Sequence, residues 1–123
     1  MKWLFVLFVF AAMPAVVAAQ QYQPLGNGNG LLERAEADER IGQGRAARDD
    51  AWLGSTWQGF VAGVAWTLDD IDPRVCLPEG SNVGQLTAVV LQYLRHNPAQ
   101  LHRPSQVLIR EALQRAFPCP SRR

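Results

Sequence analysis

Between residues 49 and 116 the apolar positions recur at helical spacing in three separate runs. Nowhere does the sequence show the strict alternation of a half-buried strand. The first run opens at Asp49 or Asp50, either of which can cap a helix, and continues to about Leu68. One stripe of that helix carries Trp52, Thr56, Gly59, Gly63 and Trp66. The other flank carries Leu53, Trp57, Phe60, Val61, Val64 and Leu68. A helix this apolar all round is predicted to be covered on most sides. Gly59 and Gly63 lie one turn apart and leave a bare groove where another helix can approach. Each glycine costs about 1 kcal/mol against Ala in a helix interior. The pattern therefore predicts close helix packing at Gly59 and Gly63, either inside the domain or across a dimer.

The second run is announced by Asn82, an N-cap residue with Gln85 three positions on to complete a capping box. Val83, Leu86, Val89, Val90, Tyr93 and Leu94 share one face as far as Arg95. Gln85, Thr87, Gln92 and Arg95 are predicted to look outward. Asn97-Pro98 ends this helix. Pro104 suits the first turn of the last one, which runs to about Ala116. Its buried stripe is read as Val107, Leu108, Ala112, Leu113 and Ala116. Phe117-Pro118-Cys119-Pro120 stops it. The prediction is an all-α fold, a small helical bundle.

The chain before residue 47 has a different texture. Residues 1–19 read as a secretory signal: Lys2, an unbroken apolar run from Trp3 to Ala12, Pro14, then small residues around Ala19. That run is short for a membrane span, and an uncleaved anchor is the competing reading. Residues 20–30, with the Gly26-Asn27-Gly28-Asn29-Gly30 run, read as a flexible linker. Residues 31–41 are charged and thin in apolar content, which predicts a solvated, partly formed helix. The expected divisions are thus a signal at 1–19, a linker and marginal helix at 20–46, a helical domain at 47–120 and a tail at 121–123.

Charge narrows the partners. The full chain has 12 basic and 11 acidic residues, and loss of Lys2 with the signal leaves 11 of each. A neutral chain lacks the cation surplus that nucleic acid or an anionic membrane surface requires. Cys76 and Cys119 are the only two cysteines. In an oxidising compartment a disulfide between them is the natural reinforcement of a small domain. Free thiols or metal ligands are the competing reading, and no partner stands at ligand spacing from either.

Candidate chemistry is sparse. Asp69, Asp70 and Asp72 lack the glycine and distal glutamate of a calcium loop, and acids at a helix C-terminus oppose the helix dipole. They read as a helix end. His96 and His102 flank the Pro98 turn without a nearby carboxylate or thiol to orient them. No serine has a nucleophile-elbow context. Neither an enzyme nor a cofactor is expected.

The segment from Cys76 to Pro120 resembles the C-terminal half of the type VI amidase immunity (Tai) proteins. The resemblance is carried by Cys76-Leu77-Pro78-Glu79-Gly80, Gly84-Gln85-Leu86, Val89-Val90, Tyr93-Leu94 and Asn97-Pro98. It continues through His102 and Pro104 to Ala112-Leu113 and Phe117-Pro118-Cys119-Pro120. Phe60-Val61-Ala62-Gly63-Val64 looks like the family's glycine-bearing helix. The resemblance implies a small exported helical protein, often a homodimer, with the Cys76–Cys119 pair as its internal disulfide. It further implies a periplasmic partner: a peptidoglycan amidase effector whose active-site cleft the protein blocks. Contact residues differ between cognate pairs, so the stretch around Trp66, Asp69, Asp70 and Asp72 is offered as a contact region on charge and position alone. The alternative class is a general periplasmic helical binding or chaperone-like protein with no cognate toxin.

Overall fold

A computed structural model describes residues 25–121 of the chain. The signal read over residues 1–19, the first part of the linker at residues 20–24, and the terminal Arg122 and Arg123 lie outside the described residues. Four helices follow in order: α1 (Gly28–Gly42), α2 (Asp50–Ile71), α3 (Val83–His96) and α4 (Ser105–Ala116). A short 3-10 turn at Pro98–Gln100 joins α3 to α4. Among the described residues there is no strand, and only two isolated bridges, Asn27 with Pro104 and Val75 with Pro118. The fold is all-α.

α2 is the axis of the bundle. It packs most extensively on α1 and also touches α3 and α4. Trp57, Val61, Ala65 and Leu68 of α2 meet Leu31 and Ala35 of α1, Leu86, Val90 and Leu94 of α3, and Leu108, Ile109 and Leu113 of α4. Burying each of the larger side chains contributes about 1.5–3 kcal/mol, and this shared core makes the four helices one unit. Two details of the faces differ from the sequence reading. Thr87 is buried because its hydroxyl donates to the Val83 carbonyl at 2.9 Å, which satisfies it without water. Ile109 is in the core, whereas Ala116 is exposed.

The largest departure lies at the beginning. The segment read as a linker and a solvated helix is built into the bundle. Asn27 caps α1 by accepting from the Gly30 amide at 3.0 Å. Gly28 and Asn29 donate to the carbonyls of Arg103 and Leu101 at 3.1 and 3.0 Å, and the Ser105 amide donates to Gly26 at 3.0 Å. The glycine at 28 is required there. A Cβ would stand 2.5 Å from Leu108 Cδ1 and 2.9 Å from the Leu101 backbone. Leu31, Arg34, Ala35 and Ala37 are buried against the rest. Apart from Leu31, this contact is made by small residues and by Arg34, whose Nη1 donates to the Gly30 carbonyl at 3.0 Å, so hydrophobic periodicity under-reads it.

Polar locks hold the connections. Asp50, only 2 % exposed, receives Arg40 Nε and Nη2 at 2.9 and 2.6 Å and the Ala47 amide at 2.8 Å. The Arg40 guanidinium and that amide hold its carboxyl down at about 2. Glu111 receives Arg103 at 2.9 and 2.6 Å and the Tyr93 hydroxyl at 2.5 Å, which lowers it to about 2 as well. The capping box at Asn82 and Gln85 forms as the sequence predicts, with both bonds present at 3.1 and 3.0 Å. Cys76 and Cys119 are joined by a disulfide, with Cα atoms 4.9 Å apart. The Cys76 amide donates to the Phe117 carbonyl at 2.9 Å beside it. Closing this loop contributes about 4 kcal/mol in the chain-entropy model.

Candidate interaction surface

Two surface regions, both on α2, carry features that the core does not explain. The first is the corner where α2 ends and the chain turns toward the disulfide. An open depression of about 870 Å³ lies there, lined by residues that include Asp69, Asp70, Ile71, Cys76, Cys119 and Pro120. Ile71 is 67 % exposed on its edge. The three acidic residues of this region are not equivalent. Asp72 is buried: it receives the Arg74 amide and guanidinium at 3.0–3.2 Å and Gln114 Nε2 at 3.1 Å, with Arg110 Nε at 3.6 Å. The Arg74 guanidinium and amide hold its carboxyl down at about 2. Asp72 therefore fastens the loop to α4 and is not presented to a partner. Asp69 accepts the Leu77 amide at 2.7 Å and shapes the turn while remaining exposed. Asp70 is exposed.

The second region is the outward face of α2. Trp52 and Trp66 are 55 % and 52 % exposed, and Gly59 and Gly63 lie between them. The face forms a shallow groove of about 450 Å³ lined by Ser55, Gly59, Gly63, Trp66 and Val83, among others. A Cβ added at Gly59 or Gly63 would meet nothing within 4 Å. Of the two kinds of packing expected at these glycines, the one inside the domain is not made. The glycines against which this chain packs closely are Gly28 and Gly54, and a Cβ added at Gly54 would stand 3.1 Å from Asp38 Oδ1. The signal for Gly54 was available: it precedes Trp57, Val61 and Leu68 at intervals of 3, 7 and 14 residues, on the apolar stripe itself. Arg34 of α1 lies over the Trp52 ring at 5.6 Å and fixes one end of the face.

Neither surface assembles a catalytic group. His96 and His102 are both exposed, and His96 Nδ1 is 2.8 Å from the Gln92 carbonyl of its own helix. Among the described residues no three His, Cys, Asp or Glu side chains are grouped to hold a metal ion. None of the described helices is long and apolar enough to cross a membrane.

A disulfide-tied bundle of four helices, with buried carboxylates engaged in internal locks and apolar rings left on one face, defines a small all-helical domain with an exposed apolar face. The chain belongs to the Rap1a immunity protein family, whose family model, described as Rap1a immunity proteins, matches residues 27–119. This is a family of immunity proteins for type VI effectors, generally non-catalytic, and the match runs from the N-cap of α1 to the second cysteine. No curated protein and no solved structure matches the chain. The resemblance to Tai proteins thus agrees with the family at the level of type VI immunity.

Proposed function

We propose that this chain is exported to the periplasm, loses its signal near Ala19, and there binds and occludes a peptidoglycan amidase delivered by a type VI secretion system. The observation that carries this reading is the family match over residues 27–119, which spans every helix and both cysteines. The Cys76–Cys119 disulfide supports an oxidising compartment, where such bonds persist. Occlusion needs a rigid shape more than reactive groups, and a small bundle closed by a covalent tie supplies one. The corner formed by Asp69, Asp70 and Ile71 is the proposed effector contact: it is exposed, combines charge with an apolar side chain, and is held from behind by Asp72 and the disulfide. We also infer that the protein pairs with a second copy of itself.

The test is periplasmic co-expression with a peptidoglycan amidase effector of a type VI secretion system. Cells carrying the chain survive, and cells carrying only the effector lyse. Purified protein suppresses peptidoglycan hydrolysis at stoichiometric ratio, and Ile71→Asp weakens the suppression about 10-fold or more. Equal lysis with and without the chain, or comparable binding to many unfolded proteins, overturns the reading.

A further inference from the structure

We propose that the cleft between α3 and α4 binds the C-terminal end of a short apolar peptide, with Arg115 taking the carboxylate. This site goes beyond the effector reading and uses none of the α2 surface.

The cleft has a volume of about 280 Å³ and is walled by Gln92 and His96 of α3 and Arg115 of α4. Val89, Ala112 and Ala116 supply its apolar part. Small-ligand sites run from about 300 to 1,000 Å³, so this one has room for the end of a chain and not for a long segment.

Arg115 is a cation that the fold leaves available. Arg95 is paired with Glu39, Arg103 with Glu111, and Arg110 Nε lies 3.6 Å from Asp72. Arg115 is exposed, and among the described residues it enters no ion pair. The one acid of α4, Glu111, already receives Arg103 and the Tyr93 hydroxyl. The Arg115 guanidinium instead lies over the Tyr93 ring, 5.2 Å from its centroid. That ring is buried and anchored at its hydroxyl, so it holds the guanidinium in place before any ligand arrives. A planar fork held in this way meets a carboxylate through two parallel hydrogen bonds at little further cost in freedom. The last carbonyls of α4 favour a basic residue in its final turn. They account for a cation at 115 but not for the aromatic ring beneath it.

The opposite wall suits the peptide group that precedes a chain end. His96 Nδ1 is 2.8 Å from the Gln92 carbonyl, a contact that requires hydrogen on Nδ1. In the neutral ring Nε2 is then an acceptor, able to take a peptide N–H. The exposed Gln92 amide can both donate and accept. Between these walls the apolar part takes a small last side chain. Such an end is found on protein chains, built from L-residues, and on the stem peptides of the cell wall, which end in D-alanine. The shared chemistry is a carboxylate, one peptide group and a methyl side chain.

NMR titration of the 15N-labelled mature protein tests this, with acetyl-L-Ala-L-Ala, acetyl-D-Ala-D-Ala and the C-terminal amide of each as probes. At least one acid is expected to bind at about 1 mM, with shifts confined to the residues of the cleft. The tighter of the two names the source, and its amide binds about 10-fold more weakly or worse. Arg115→Lys, which keeps the charge but not the fork, weakens binding about 5-fold, and Arg115→Gln weakens it more. His96→Ala weakens it about 3-fold. Arg95→Gln, whose partner Glu39 lies on α1, leaves it unchanged. Circular dichroism checks that each variant is folded. No binding of either acid at 10-fold this concentration, amides that bind as well as acids, or Arg115→Gln equal to wild type overturns the proposal. Protection of cells from an effector is not among these readouts, so failure here leaves the functional reading standing, and a failed functional reading leaves this site standing.

Discussion

The two sides of α2 use the same residue types to opposite ends. On the inner side Trp57 is 1 % exposed and Gly54 lies against α1. On the outer side Trp52 and Trp66 are more than half exposed, and Gly59 and Gly63 face open space. A tryptophan and a glycine are therefore ambiguous on their own. What distinguishes them here is whether three other helices have already filled the neighbouring volume. The inner side holds the domain together. The outer side is apolar surface left after the domain is complete, which is where a binding protein meets its partners.

Substitutions at matched residues on the two sides test that contrast. The largest effect is expected at the buried ring: Trp57→Ala should cost about 3–5 kcal/mol, read as a fall in denaturant midpoint. Trp66→Ala, measured in dilute protein, should change it by less than about 0.5 kcal/mol. Equal losses would mean that the outer ring is structural. The glycines give the next effect. Gly54→Leu should destabilise by about 1–3 kcal/mol because α1 cannot withdraw. Gly63→Ala in dilute protein should stabilise by up to about 1 kcal/mol through helix propensity. A loss at Gly63 under those conditions would place a neighbour on the outer side within the chain itself.

The smallest effect is expected in acid. The folded-state values of Asp50, Asp72 and Glu111 lie near 2 because of Arg40, Arg74 and Arg103 respectively. Each lies below its ordinary carboxylate value, so its contribution is complete above about pH 4.5 and disappears as the pH falls toward 2. The melting temperature should be flat from pH 5 to 7 and decline below about pH 4.5. Asp72→Asn should lower it at pH 7 and leave it unchanged near pH 2, whereas Asp70→Asn should do neither. A parallel loss for the two variants would remove the distinction between the acid that locks the fold and the acid that faces out.

Much of the molecule was legible before folding. Local signals marked α3 almost residue by residue, because Asn82 and Gln85 satisfy the first amides of that helix without reference to anything distant. Proline and the apolar stripe did the same for α4, whose start at Ser105 lies one residue from the expectation. The disulfide followed from two cysteines and from the reading of residues 1–19 as an export signal. α1 was misread because, apart from Leu31, its contacts are made by backbone groups of Gly26, Gly28 and Asn29 and by the small side chains of Ala35 and Ala37. None of these has a hydrophobic signature at long range. The four candidate contact residues also divided on folding: Trp66, Asp69 and Asp70 stayed at the surface, and Asp72 turned inward because Arg74, Gln114 and Arg110 converge on it from near and far in sequence.

By itself, the amino-acid sequence determined the class of fold, the ends of α3 and α4 and the covalent tie, since caps, prolines, periodicity and cysteine pairing act over a few residues or through composition. Only the tertiary structure decided which glycines are contacts, which tryptophan is core and which aspartate is a lock. Those properties depend on the occupancy of the space beside a residue, and that space is filled by helices distant in the chain.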